Sequence, residues 1–118
     1  MFKLAILLKR RAGLSVEDFR DYYENRHVPL CMTYMAGAAR YVRRYPVVGA
    51  GTPEPEFDVI TELWFDNVRA RDLVIRTMTA DAMPPDVIAD ELRFIDRAKS
   101  RAYALEECET DLVAAAAP

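Results

Sequence analysis

Residues 57–65 (FDVITELWF) form the segment that most constrains how this chain of 118 residues can fold. Successive side chains of a strand point to opposite faces of a sheet. One set here is apolar or small and suits packing under helices, namely Phe57, Val59, Thr61, Leu63 and Phe65. The other set combines two carboxylates with two large apolar groups, namely Asp58, Ile60, Glu62 and Trp64. We therefore predict a strand with one core face and one face that is neither ordinary core nor ordinary surface.

The other patterned segments occur in an order that defines a fold class. Strand patterns cover residues 2–9, 39–48 and 100–109, and helix patterns cover 16–27, a stretch from the cap at Asp66 to about Met78, and 86–97. The order is that of the split βαβ arrangement. We predict an α+β, ferredoxin-like βαββαβ fold with an extra short helix. Residues 1–110 are expected to form one domain and residues 111–118 a C-terminal tail.

The first helix carries the chain's single histidine on its apolar side. Ser15, three residues before Asp18, resembles the start of a capping box. Val16, Phe19, Tyr23 and His27 fall within an arc of about 80° on a helical projection. Pro29 disfavours helical geometry at Val28, so the helix is predicted to end or kink at His27. Residues 30–38 are expected to be a loop or a short helix.

Charge and hydropathy argue against two classes of partner. The net charge is −3, whereas a nucleic-acid-binding domain needs a basic surface. No apolar run approaches the roughly 18 residues that span a bilayer. The apolar start precedes Lys9, Arg10 and Arg11, which reverses the order of a signal peptide. We expect a cytoplasmic protein that binds neither nucleic acid nor membrane.

We recognise no sequence motif for binding a metal or a nucleotide, and none for a catalytic dyad. Cys31 and Cys108 lie far apart, and two cysteines with one histidine do not make a four-ligand zinc site. We interpret both as reduced thiols and identify no His–Cys dyad. The Gly49–Gly51 segment lacks the strand-to-helix context of a phosphate-binding loop. No metal and no cofactor is predicted.

The mixed face of the strand at 57–65 needs cover, because sheets normally have two layers. If two subunits bring these faces together, they enclose a cavity lined by polar and aromatic groups. We therefore predict a homodimer with a site for a hydrophobic small molecule in that cavity.

Three motifs resemble the EthD-like family. The opening, FKLAILLKRRAGLSVEDFRDYYENRHVPL, has the family's strand, Lys-Arg pair, Gly-Leu-Ser, helix ending in Asp-Tyr, and His-x-Pro-Leu. FDVITELWFDNVRA and DELRFID resemble its second and third signatures, in the right order and spacing. Two features depart from the pattern: Asp58-Val59 stands where Asp-Gly is expected, and the tail after Leu112 is unlike it.

The resemblance implies the dimeric α/β barrel fold, shared with muconolactone isomerases, polyketide cyclases and cofactor-free quinol monooxygenases. EthD-like proteins occur in degradation and aromatic polyketide pathways, some with decarboxylase, dehydratase or cyclase roles. Since a fold does not define a reaction, the site must be argued from its residues.

The candidate catalytic residues are His27, Tyr23 and Asp58. His27 is the one side chain expected to titrate near neutrality, and it matches the family's His-x-Pro-Leu motif. It can alternatively bind a backbone carbonyl at the helix end. Tyr23 is a candidate hydroxyl donor to an enolate or phenolate oxygen, with Tyr22 as a further candidate, or else a core residue.

The candidate substrate-binding residues are Arg40, Tyr41, Glu62 and Trp64. Asp58 and Glu62 share a face but are about 13 Å apart by strand rise, too far to act on one bond. The alternative for these carboxylates is a buried ion pair, for example with Arg40. The alternative for Trp64 and Tyr41 is core packing.

The leading hypothesis is a cofactor-independent lyase, isomerase or cyclase acting on a hydrophobic oxygenated small molecule. One rival is a non-catalytic carrier or sensor for a similar ligand. Another is a cofactor-free monooxygenase acting on an electron-rich phenol.

Overall fold

The computed structural model of the chain describes residues 1–116 and contains one four-stranded antiparallel sheet. The strands are β1 (Phe2–Leu8), β2 (Arg40–Arg44), β3 (Val59–Phe65) and β4 (Arg101–Leu105). The α-helices are α1 (Val16–Tyr22), α2 (Val28–Met32), α3 (Val68–Thr79), α4 (Pro85–Phe94) and α5 (Leu112–Ala116). The strand order β2-β3-β1-β4 is that of the ferredoxin-like fold and confirms the predicted α+β class.

The predicted faces of β3 are confirmed. Val59, Leu63 and Phe65 are almost fully buried and belong to the two hydrophobic clusters between sheet and helices. Phe19 from α1 and Phe94 from α4 pack in the first cluster, and α3 covers the second. The opposite face, which carries Glu62 and Trp64, lacks this helical cover among the described residues.

The sequence predicts that the first helix ends or kinks at His27, and the first of these two outcomes is wrong. The chain does not end its helix at His27: it widens into a π-helical turn (Tyr23–His27) and continues as α2. Val28 is fully helical, with φ −58° and ψ −49°, and its amide bonds to the carbonyl of Tyr23. Pro29 then occupies the first turn of α2, where a residue without an amide hydrogen is tolerated. The π turn sets the orientation of both Tyr23 and His27.

Short polar side chains cap the starts of α1 and α3. The Ser15 hydroxyl accepts a hydrogen bond from the amide of Asp18 at 3.1 Å, which confirms the predicted cap. The second predicted cap was one residue off: the side chain of Asn67, not Asp66, accepts from the amides that start α3. A 3-10 turn (Arg97–Lys99) follows α4, so that helix is shorter than predicted.

The C-terminal segment holds α5, and residues 117–118 of the predicted tail lie outside the described residues. Within residues 1–116, no helix is both long and apolar enough to cross a bilayer.

Candidate functional site

A cavity of about 610 Å³ lies between the helix-covered face of the sheet and the helices. No residue of α3 is fully buried, so this helix covers the sheet without filling the space beneath it. Most of the wall is apolar, and it includes Ile6, Leu63, Phe65, Val74, Met83 and Val87. The sequence predicts a cavity at the opposite face, because the alternation of a strand does not reveal how completely its covering helices fill the core.

His27 lies in the wall of this cavity and is held by a carboxylate from another helix. The residue is 5% exposed, and Nδ1 of its ring lies 2.8 Å from Oδ2 of Asp90 on α4. The other nitrogen, Nε2, lies 3.2 Å from Sγ of Cys31, which also lines the cavity. His27 and Cys31 are four residues apart, so the continuous helix places them on one side. The interpretation that the chain has no His–Cys dyad was wrong.

Protonation at this cluster follows from burial and hydrogen bonding. Burial lowers the pKa of His27, although the bond to Asp90 works in the other direction. Burial raises the pKa of Asp90, but hydrogen bonds from Tyr22 and His27 outweigh it, and the net pKa is lowered. At neutral pH the pair is therefore a neutral imidazole and a carboxylate. Nδ1 then carries the proton and donates to Asp90, which leaves Nε2 as the acceptor.

Asp90 is itself fixed by three partners. The Tyr22 hydroxyl donates to Oδ1 at 2.6 Å, and Arg93 approaches the same oxygen at 3.3 Å. Together with His27 these contacts satisfy both carboxylate oxygens, although the residue is only 6% exposed. A buried carboxylate held in this way restricts the orientation of the imidazole.

Two tyrosines form a second polar group in the same cavity. The Tyr41 hydroxyl donates to the Tyr23 hydroxyl at 3.0 Å, and Tyr23 is 2.6 Å from Oγ1 of Thr61. The rings of Tyr23 and His27 meet edge-on with their centroids 5.7 Å apart. Burial raises the pKa of Tyr23 to about 12 and also raises that of Tyr41. Both phenols therefore keep their protons at neutral pH and can donate hydrogen bonds.

Asp58 lies directly before β3 and is bound by the segment that follows β1. Its carboxylate accepts from the backbone amide of Arg10 at 2.8 Å and from the Arg10 guanidinium at 2.9 Å. Lys9 is 3.7 Å away. Asp58 is not among the residues that line the helix-side cavity.

Arg40, Glu62 and Trp64 lie on the open face of the sheet. The Trp64 ring is flanked by Lys3, whose Nζ is 3.7 Å from its centroid, and by the Arg40 guanidinium carbon at 4.2 Å. Glu62 accepts from the Trp64 indole at 3.0 Å and pairs with Arg44. Arg40 thus stacks on Trp64 and does not neutralise Asp58 or Glu62. The register explains this, because Arg40 lies directly opposite Trp64.

Of the predicted site residues, the structure brings three into one cavity: Tyr23, His27 and Tyr41. Asp90 and Cys31 were not predicted from the sequence as site residues. In a helix that continues past Pro29, the i to i+4 spacing of His27 and Cys31 predicts that their side chains lie on the same side. Nothing local distinguishes Asp90, which is 63 residues from its partner.

Comparisons with known proteins agree with this architecture. The chain is similar to an ethyl tert-butyl ether D (EthD) family protein from Bacillus halodurans, with a TM-score of 0.62 and 21% identity over 92% of this chain and 100% of that one. It is also similar to a hypothetical Arabidopsis thaliana protein, with 12% identity and a TM-score of 0.61 over 93% of this chain and 90% of that one. At these identities the likeness shows the fold alone. No curated protein matches the chain significantly.

The family assignment comes from a separate comparison. The model of the EthD domain matches residues 11–98, which includes the π turn with His27 and all of α4 with Asp90. This match covers well over half of the chain and agrees with the three motifs of the sequence. The chain belongs to the EthD family.

Proposed function

We propose that this protein is a cofactor-independent enzyme of the lyase, isomerase or cyclase type, which moves a proton on a hydrophobic, oxygenated small molecule in the helix-side cavity. The observation that carries the proposal is the 2.8 Å bond between His27 Nδ1 and Asp90 Oδ2 in the wall of a mostly apolar cavity. A neutral imidazole with one nitrogen held by a carboxylate is a suitable general base.

The proposed step is removal of a proton from a carbon next to a carbonyl group. Nε2 of His27 accepts the proton, and Asp90 stabilises the imidazolium that forms. The negative charge moves to the carbonyl oxygen, where a buried phenol can donate a hydrogen bond. The hydroxyl hydrogens of Tyr41 and Tyr23 rotate freely, so their chain to Thr61 can reverse and leave the Tyr41 proton for the ligand.

The walls support the substrate class. A volume of about 610 Å³ is in the range of cavities that hold small organic molecules. Side chains such as Phe65 and Val74 offer dispersion contacts, and His27 and Tyr41 are among the polar side chains that line the cavity. This arrangement favours a ring-containing ketone or a comparable carbonyl compound.

We further propose that the protein is a cytoplasmic homodimer formed through the open face of the sheet. This face exposes Tyr103 and Ile60 in addition to carrying the stacked Trp64, which favours burial against a second subunit. Two free cysteines suit a reducing compartment. The substrate-binding roles predicted for Arg40, Glu62 and Trp64 depend on that second subunit, and the catalytic role predicted for Asp58 depends on a ligand that reaches the Arg10 ion pair.

The test uses 2-tetralone, an enolisable bicyclic ketone, as the probe. Nuclear magnetic resonance in heavy water measures how fast its activated protons exchange for deuterium. We expect the wild-type protein to accelerate exchange above the buffer rate and His27→Gln to slow the accelerated rate by about 10²–10⁴-fold. Leu92→Ala, an exposed change on the helix that carries Asp90, is the matched control and keeps the wild-type rate.

Circular dichroism and thermal unfolding establish that each variant is folded before rates are compared. Saturable binding of 2-tetralone without any acceleration of exchange would favour the carrier or sensor hypothesis instead. Acceleration that survives His27→Gln in a folded protein would remove His27 from the mechanism.

A further inference from the structure

We infer that Cys31, His27 and Asp90 form a nucleophilic site that adds the Cys31 thiol to hydrophobic α,β-unsaturated ketones. The inference concerns the same cavity as the proposed function, but it assigns covalent chemistry to a side chain that proton transfer does not use. Its success does not depend on proton transfer to carbon being the natural reaction.

The three side chains have the arrangement of an activated nucleophile. Sγ of Cys31 is 3.2 Å from Nε2 of His27, and Nδ1 of the same ring is 2.8 Å from Asp90. A nucleophile, a base and a group that orients the base are the three parts of this type of site. Cys31 and His27 both line the cavity, so a bound molecule can reach the sulfur.

The surroundings of Cys31 decide how the thiol must react. Burial raises its pKa to about 12, and the nearby carboxylates of Glu91 and Asp90 add to the effect. A resting thiolate is therefore disfavoured, unlike in cysteine sites with a positive environment. His27 must take the proton while the new bond forms, as in sites where a histidine activates a serine hydroxyl.

The step balances without any further reagent. Sγ forms a bond to the β-carbon of the enone while the thiol proton moves to Nε2 of His27. The electron pair of the carbon–carbon double bond moves to give an enolate, whose oxygen accepts a hydrogen bond from Tyr41 or Tyr23. The imidazolium then returns its proton to the α-carbon, and the product is a saturated ketone attached to sulfur.

The cavity walls explain the ligand class. The wall around Ile6, Phe65 and Val87 is apolar, which suits the hydrocarbon part of an enone. The phenol chain of Tyr41 and Tyr23 supplies neutral donors for the carbonyl oxygen. Carboxylates near Cys31 make the site unfavourable for anionic electrophiles.

The experiment uses the full chain with Cys108→Ser, because Cys108 is an exposed free thiol that would also react. The probe is benzylideneacetone, an uncharged aryl enone, and intact-protein mass spectrometry follows the adduct over time. We expect one probe per chain on Cys31 and no adduct in the Cys31→Ser, Cys108→Ser double variant. His27→Gln is expected to slow addition by about 10²–10⁴-fold, and Asp90→Asn to slow it less.

The pH dependence of addition needs no further variant. If His27 is the base, the rate of addition rises with pH as the imidazole loses its proton. The midpoint of this rise lies below pH 6.5, and the rate is constant at higher pH. A merely buried thiol would react through its thiolate, and its rate would keep rising toward the Cys31 pKa of about 12. That continuous rise, or labelling of Cys31 only after denaturation, would overturn the inference.

The readout separates this inference from the proposed function. Deuterium exchange into 2-tetralone is measured on the same Cys108→Ser protein. Exchange without an adduct contradicts the covalent site and leaves proton transfer standing. An adduct without exchange supports the covalent site and contradicts the proposed function.

Discussion

Asp90 and His27 are separated by 63 residues and are joined by a 2.8 Å hydrogen bond that connects α4 to the π turn after α1. Both residues are buried, at 6% and 5% exposure. The bond is thus a structural link between two helices and the feature that determines which imidazole nitrogen carries the proton. Stability and the protonation of the imidazole are therefore coupled.

The ionisation of His27 should make stability depend on pH. Burial lowers the folded-state pKa below the ordinary value of 6.5, so the unfolded chain binds more protons between those two pKa values. The unfolding free energy should therefore rise as pH rises through the window just below 6.5, and fall as pH drops through it.

Because His27 is the only histidine, its imidazole signals can be titrated in isolation by nuclear magnetic resonance. We expect a midpoint below 6.5 in the folded protein. Denaturant unfolding at several pH values should show the rise, and the rise should disappear in His27→Gln. A folded-state midpoint above 6.5 would mean that Asp90 raises the pKa of His27 by more than burial lowers it. The assignment of a neutral imidazole in the resting protein would then be wrong.

Phe94 should be a main determinant of stability beneath the site. It is fully buried, and its ring contacts those of Phe19, Tyr23 and His27. Phe94→Ala should lower the unfolding free energy by about 3–5 kcal/mol, measured by urea denaturation. Leu92→Ala on the same helix is the control, since that side chain is 56% exposed and should change stability by less than about 0.5 kcal/mol. Equal effects would contradict the packing described here.

Filling the cavity should block ligand binding without reducing the stability of the fold. Val74 lies on α3 and lines the cavity, and Val74→Phe places a ring in the open space. We expect exchange of 2-tetralone to be lost while stability is kept or rises by up to about 2 kcal/mol. Arg76→Phe adds the same ring to an exposed position of the same helix and should leave exchange unchanged. Full activity in folded Val74→Phe would place the reaction outside this cavity.

The two faces of β3 should respond differently to truncation. Leu63 is 4% exposed and packs under α3, so Leu63→Ala should cost about 2–5 kcal/mol. Trp64→Ala removes a ring that is stacked between Lys3 and Arg40 on the open face, and it should cost the subunit less. Light scattering of the wild type and of Trp64→Ala tests the proposed homodimer. A wild type that is monomeric at micromolar concentration would contradict the dimer.

The sequence predicted the features of this protein that depend on residues close together in the chain, namely side-chain direction and the order of helices and strands. The alternation in residues 57–65 identified the core face of β3, because side-chain direction in a strand repeats every two residues. The order of helix and strand patterns identified the ferredoxin-like fold, because each element is recognised from its local periodicity and their order matches the split βαβ arrangement. His27 and Tyr23 line one cavity, and the sequence placed both on the apolar side of one predicted helix.

The tertiary structure decided what surrounds those residues. Asp90 meets His27 because α4 packs beside the π turn, and no local pattern encodes that contact. Cys31 joins them because the helix continues past Pro29 through a widened turn, where local propensity alone predicts an end or a kink. The cavity exists because α3 covers the sheet without filling the core, and the alternation of β3 is the same whether that space is full or empty. Side-chain direction is a local property of the backbone, whereas contacts and cavities depend on how separate elements pack.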